Sequence, residues 1–138
     1  MKLRAVRPYA GPLADLCVKE IHRAGALAEV VTWVPGRRRE TRRRGFDHAE
    51  EIARRVAIQI GLPARALLER RGDTTDQTKL GRAERSTNLQ GAFESRPVSV
   101  PVLLVDDLYT TGATAAVCGR EILRAGAPNV EAVVACRA

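Results

Sequence analysis

The stretch Val102 to Thr114, VLLVDDLYTTGAT, concentrates the residue types most able to do chemistry in this chain of 138 residues. An apolar run stops at two consecutive acids, Asp106 and Asp107. A short loop of small and hydroxylated residues follows, through Thr110, Thr111, Gly112, Ala113 and Thr114, and helix-forming sequence then resumes. Successive backbone N–H groups in a tight turn form a concave nest for an anion. A helix that starts there adds unpaired N–H groups and the positive end of its dipole. Gly112 allows a backbone conformation or close approach that a side chain would block, and the threonines add hydroxyl donors. The loop therefore suits a phosphate. Two acids just ahead of it would repel one, so sugar hydroxyls or a magnesium ion are their natural partners. The bland alternative is a strand-to-helix turn capped by Asp and Thr.

Other phosphate motifs do not fit. A P-loop needs G-x-x-x-x-G-K-[ST], and no such string occurs. A Walker B strand requires a Walker A partner. A dinucleotide fold places G-x-G-x-x-G before the acid, whereas here the glycine follows it.

The elements that must position these residues alternate between two periods. Gly11 to Ala24 reads as a helix with Leu13, Leu16, Cys17 and Ile21 at helical spacing. Glu29 to Pro35 is short and β-branched, a strand ended by proline. The run Arg37 to Arg44 holds six arginines and no apolar residue, and reads as a loop. Asp47 can cap the next helix with Glu50 completing a capping box. Ala49, Ile52, Ala53, Val56 and Ile60 would form its apolar face, with Gly61 at the left-handed end and Pro63 beyond. Arg65 to Glu69 is a weak strand candidate, and Gly72 to Pro97 reads as a long polar loop, unusual unless functional. Val100 to Val105 is of buried parallel-strand type. Thr114 to Ala125 reads as a helix capped by Gly126, and Val130 to Cys136 as the last strand. Helices between short apolar strands imply a parallel sheet covered on both faces, an α/β fold. Ligands in such sheets bind at the carboxyl ends of the strands, where the acid–threonine loop falls.

Composition bounds the rest. The length suits one domain with a core large enough to fold without metal or disulfide staples. Lys plus Arg total 23 against 16 acids, a net charge of +7. Only Lys2, Lys19 and Lys79 are lysines, so arginine supplies the excess. Its planar fork suits phosphate, although GC-rich codon usage would produce the same bias. Cys17, Cys118 and Cys136 are far apart, without a C-x-x-C pair, and fit buried reduced thiols in a cytoplasmic protein. No apolar run approaches the ~20 residues of a membrane span, and the first residues lack the apolar core of a signal peptide.

The arginine run has two readings: an electrostatic funnel for a polyanion such as single-stranded DNA, with strong salt dependence, or a solvated loop. Single-strand binding also needs aromatic stacking platforms, and the aromatics are only Tyr9, Trp33, Phe46, Phe93 and Tyr109. Tyr109 reads equally as a stacking group or as an exposed loop tyrosine. His48, at a helix start, reads as a surface residue.

Val102 to Thr114 resembles the phosphoribosyl pyrophosphate (PRPP) signature of type I phosphoribosyltransferases. The chain as a whole is similar to the competence protein F (ComF) family. Trp33-Val34-Pro35, the arginine loop and Arg44-Gly45-Phe46 resemble that family's V-P-x-x-R-x-x-R-G-F region. Thr74, Gln77 and Leu80 fit its T-x-x-Q-x-x-L spacing, and Arg85, Asn88 and Phe93 its R-x-x-N-x-x-x-x-F continuation. Tyr9-Ala10-Gly11 and Lys19 fall where early family residues lie.

The resemblance implies a type I phosphoribosyltransferase-like α/β domain over residues 1–138, a mostly parallel sheet flanked by helices, with an inserted hood at about 72–97. Asp106 and Asp107 would hold the ribose hydroxyls of PRPP or a related ribose phosphate and, indirectly, Mg²⁺. Thr110, Thr111, Gly112, Ala113 and Thr114 would cradle the 5′-phosphate. Pro35, Gly36, Arg37 and Arg38 would meet the pyrophosphate, while Tyr109, Arg44, Gln77, Arg85 and Asn88 would add substrate or hood contacts. The chemistry implied is pentosyl transfer to an unnamed acceptor, with a link to DNA uptake in competence. The alternative is a non-catalytic accessory protein of transformation, partnered by single-stranded DNA or DNA-processing proteins; a homodimer is a further candidate partnership. This chain departs from the family in four ways. It has no four-cysteine zinc element, and Val31-Thr32-Trp33-Val34-Pro35 stands for Val-Pro-Val-Pro. Gly36 replaces a bulkier residue, and Gly45-Phe46-Asp47-His48 stands for Gly-Phe-Asn-Gln, bringing a negative charge toward an anion site.

Overall fold

The computed structural model describes residues 2–6, 13–37, 41–43, 45, 47–71, 91–107 and 112–135. Its elements are β1 (Lys2–Val6), α1 (Leu13–Ala24), β2 (Val30–Trp33), α2 (His48–Ile60), β3 (Leu68–Arg70), β4 (Phe93–Ser95), β5 (Val102–Asp106), α3 (Ala113–Arg124) and β6 (Val130–Ala135). The main sheet has the order β1-β6-β5-β2, and all its pairings are parallel.

The apolar run of β5 is continuous because the strand lies inside the sheet with both faces covered. Val102 and Leu104, with Val130, Ala132 and Val134 of β6, pack on Ala115, Cys118 and Ile122 of α3. Leu103 and Val105, with Val31 and Trp33 of β2, pack on Cys17 and Ile21 of α1 and on Ile52, Ala53 and Val56 of α2. One core thus splits into two layers by the two-residue period of the strands. The single polar side chain inside β2, Thr32, is fully buried and accepts the Leu67 N–H on its hydroxyl at 3.2 Å.

Helix α2 follows its sequence signals. Asp47 caps it, accepting from the Ala49 and Glu50 amides, and Gly61 ends it in the left-handed region. The Glu50 carboxylate holds Arg54 one turn on.

One strand is added and three expectations change. β1 was not legible, because its five residues carry two cations and little apolar pattern; its strand character comes from pairing with β6. β4 falls inside the stretch read as a polar loop, where it pairs antiparallel with β3 in the register Leu68↔Ser95 and Arg70↔Phe93. The arginine run is not all loop: residues 41–43 form a helical turn, with the Thr41 N–H on the Arg37 carbonyl and the Gly45 N–H on that of Thr41. Ala125, not Gly126, caps α3. Among the described residues no helix is long and apolar enough to cross a membrane.

Candidate functional site at the carboxyl end of the sheet

Strand β5 delivers Asp106 to the carboxyl end of the sheet almost fully enclosed, at 8% exposure. Its Oδ1 accepts the Asp107 N–H at 2.8 Å, which folds the chain sharply at the strand's end. By strand alternation Asp106 falls on the α3 side with Val102 and Leu104. Electrostatics agree: burial pushes the Cys118 thiol of α3 far up, Asp106 adds to that rise, and Arg70 opposes it. Asp107 is half-buried.

Gly112 opens α3 with φ 77°, ψ 0°, a left-handed conformation that a side chain disfavours. The first turn of α3 carries no acidic residue, so its leading amides face no neighbouring carboxylate on their own helix. Ala113 is exposed and Thr114 half-buried.

The third part is the turn after β2. The pairing Trp33↔Val105 and the Val34 N–H bond to the Val105 carbonyl put Pro35 alongside the end of β5. Pro35 and Gly36 are half-buried and Arg37 is exposed. The Pro35 carbonyl accepts from Arg70 Nε and Nη2 at 3.3 and 3.1 Å. The Gly36 N–H donates to Asp47 Oδ2 at 2.8 Å. Arg70 also lies over the Phe93 ring, 4.6 Å from its centroid.

Asp106, Asp107, Gly112, Ala113, Thr114, Pro35, Gly36 and Arg37 therefore share one end of the molecule. Thr110, Thr111, Arg38, Tyr109, Arg44, Gln77, Arg85 and Asn88 lie outside the described residues. Two contacts escape the sequence pattern. Arg70 ends a strand too short to read, and its partners are 35 and 23 positions away. Asp47 reads from sequence as a cap and as an added negative charge near the site, but not as the partner of Gly36, 11 residues back, which its second oxygen serves. The negative charge that Asp47 introduces is thus answered by three backbone amides. Trp33 is no stacking platform: it is buried, and Arg54 covers its ring at 5.0 Å.

Among the described residues no group of three or more His, Cys, Asp or Glu is placed to hold a metal ion. A groove of about 360 Å³ lined by Glu29, Arg65, Pro97 and Ser99 opens at the other, amino-terminal end of β2 and β5.

The arrangement is that of an α/β protein with the type I phosphoribosyltransferase fold, and solved structures agree. The glutamine PRPP amidotransferase of B. subtilis, solved with ADP and GMP, superposes with a TM-score of 0.60 at 21% identity, over 88% of this chain and 25% of that one. Adenine phosphoribosyltransferase from Leishmania tarentolae gives 0.50 at 14% identity, over 91% and 68%. In sequence, the chain is similar to a DNA utilization protein, YhgH, of Salmonella typhi, 31% identical over 136 residues, 93% of this chain and 60% of that protein. The same protein of Salmonella typhimurium matches equally. The chain thus spans 60% of the length of these relatives. No family model matches it.

Proposed function

We propose that this chain is a phosphoribosyltransferase-like protein of the ComF family that binds PRPP or a related ribose phosphate with Mg²⁺. The observation that carries the reading is the convergence of three features at one sheet end: the Asp106–Asp107 strand terminus, the left-handed Gly112 opening α3, and the Pro35–Gly36 turn. Asp106 and Asp107 accept the ribose hydroxyls. The amides that open α3, with Thr114, take the 5′-phosphate. Exposed Arg37 faces the pyrophosphate charge. The donor set fits magnesium, which is commonly held by one or two carboxylates plus substrate phosphates rather than by an all-protein cage. When bound, the ion supplies charge neutralisation to departing pyrophosphate. In this reading residues 1–138 act as one domain, and the β3–β4 pair carries the hood.

Titration calorimetry with Mg–PRPP tests this. Wild type gives a binding isotherm, and Asp106→Ala and Asp107→Ala abolish it. A wild-type protein that releases no heat, or variants that bind unchanged, sinks the proposal.

A second reading is favoured by Arg37, Arg42 and Arg43, all exposed beyond β2, together with the relatives' name. It makes the chain a non-catalytic accessory protein that binds single-stranded DNA and serves DNA uptake. Burial of Trp33 weighs against it.

A further inference from the structure

We propose that Asp47 and Arg70 are positioning residues for the diphosphate end of the ligand, gripping the two ends of the Pro35–Gly36 peptide unit. This inference rests on the ligand class proposed above.

The Pro35 carbonyl and the Gly36 N–H belong to one peptide plane. The carbonyl takes two guanidinium donors from Arg70, and the N–H is taken by Asp47 Oδ2. Hydrogen bonds to charged groups are stronger than neutral ones. A peptide plane can swing about the bonds flanking it, exchanging the directions of its carbonyl and its amide. Holding only one end leaves that swing open; holding both ends with opposite charges closes it.

Neither grip is loose. The Arg70 guanidinium lies over Phe93, itself in the core. The other oxygen of Asp47 accepts from the Ala49 and Glu50 amides at the start of α2. The carboxylate is therefore fixed by the helix and cannot follow the loop. Gly36 suits the approach: a Cβ there would lie 3.3 Å from Thr41 Oγ1 and 3.4 Å from Asp47 Oδ2, close enough to press on both side chains. Three segments distant in sequence thus meet on one peptide beside the end of β5. With its carbonyl taken by Arg70 and its amide by Asp47, this plane turns neither end to an anion at the turn; a released plane presents its bare carbonyl oxygen, so the grip keeps the turn from repelling a diphosphate.

The test compares two ligands, Mg–PRPP and ribose 5-phosphate, by calorimetry. Asp47→Ser keeps an N-cap hydroxyl for α2 but has no second oxygen for Gly36. Arg70→Met keeps an apolar stem on Phe93 and loses its donors. Each variant weakens Mg–PRPP about tenfold, the scale of one lost charged hydrogen bond, and leaves ribose 5-phosphate within about twofold. Arg70→Lys recovers part of the loss. The double variant loses little more than either single one, because both side chains hold the same peptide. Equal losses for both ligands, multiplicative losses in the double variant, or tighter Mg–PRPP binding by Asp47→Ser would overturn the positioning role. Wild-type protein that binds neither ligand overturns the ligand class as well. Hydrogen exchange of the Gly36 amide then shows separately whether the grip exists: it is slow in wild type and accelerated in both variants, and unchanged exchange refutes it.

Discussion

A buried carboxylate is costly unless something answers it, and Asp106 is answered in part by the amide of the residue that follows. Its neighbour Asp107 is half-buried at the same strand end. The two acids therefore separate by experiment. Asp106→Ala leaves the Asp107 N–H without its acceptor and lowers stability by about 1–3 kcal/mol, read from urea denaturation. Asp107→Ala changes the stability by no more than about 0.5 kcal/mol, although under the proposed function both variants lose Mg–PRPP. The cysteines give a residue-scale check of burial. Cys17 is enclosed, and burial raises its thiol from 9.0 to about 11. The native state holds that proton more tightly than the unfolded chain, so the Cys17 contribution is full below pH 9 and is lost as pH climbs toward 11. Cys17→Ala flattens this part of the stability–pH curve, and a wild-type curve already flat between those limits contradicts the burial.

At the scale of elements, α2 is both scaffold and strut, since the residue that caps it also holds the turn after β2. Asp47→Ala removes the cap and costs about 0.5–2 kcal/mol of stability, whereas Asp47→Ser restores most of it. Thermal unfolding of both variants reads the difference; equal losses would mean that the Gly36 bond, not the cap, carries the stability. Strand β5 has a different duty. Leu104 is fully buried between α3 and the rest of its layer, so Leu104→Ala costs about 2–5 kcal/mol and threatens the geometry at Asp106, two residues on. The β3–β4 pair places Arg70 against Phe93 and, through it, ties the smaller sheet to the end of the larger.

For the whole molecule, the net charge of +7 spreads over a surface on which many arginines are already engaged: Arg23, Arg54, Arg55, Arg71 and Arg124 each pair with a nearby glutamate. Exposed pairs of this kind contribute little to stability, but they temper the field that a polyanion would feel. If single-stranded DNA is a ligand, its affinity falls steeply with salt, and Arg42→Glu with Arg43→Glu removes most of it. Fluorescence anisotropy at two salt concentrations checks both, and unchanged binding by the double variant refutes the second reading.

Periodicity and capping residues pointed to the parallel α/β architecture, the α2 caps and the strand that ends at Asp106. These rest on local rules: alternation, helical spacing and capping act over a few residues and are written in the order of the chain. The acid at the end of β5 and the glycine that opens α3 were legible for the same reason. β1 and β4 were not, because a short strand with mixed polarity becomes a strand only when a partner supplies its hydrogen bonds. The grip on the Pro35–Gly36 peptide was equally hidden. It joins Gly36 to Asp47 and Pro35 to Arg70 across separations that no local spacing records, and only packing the helices and the small sheet around β2 and β5 brought those charges to one bond.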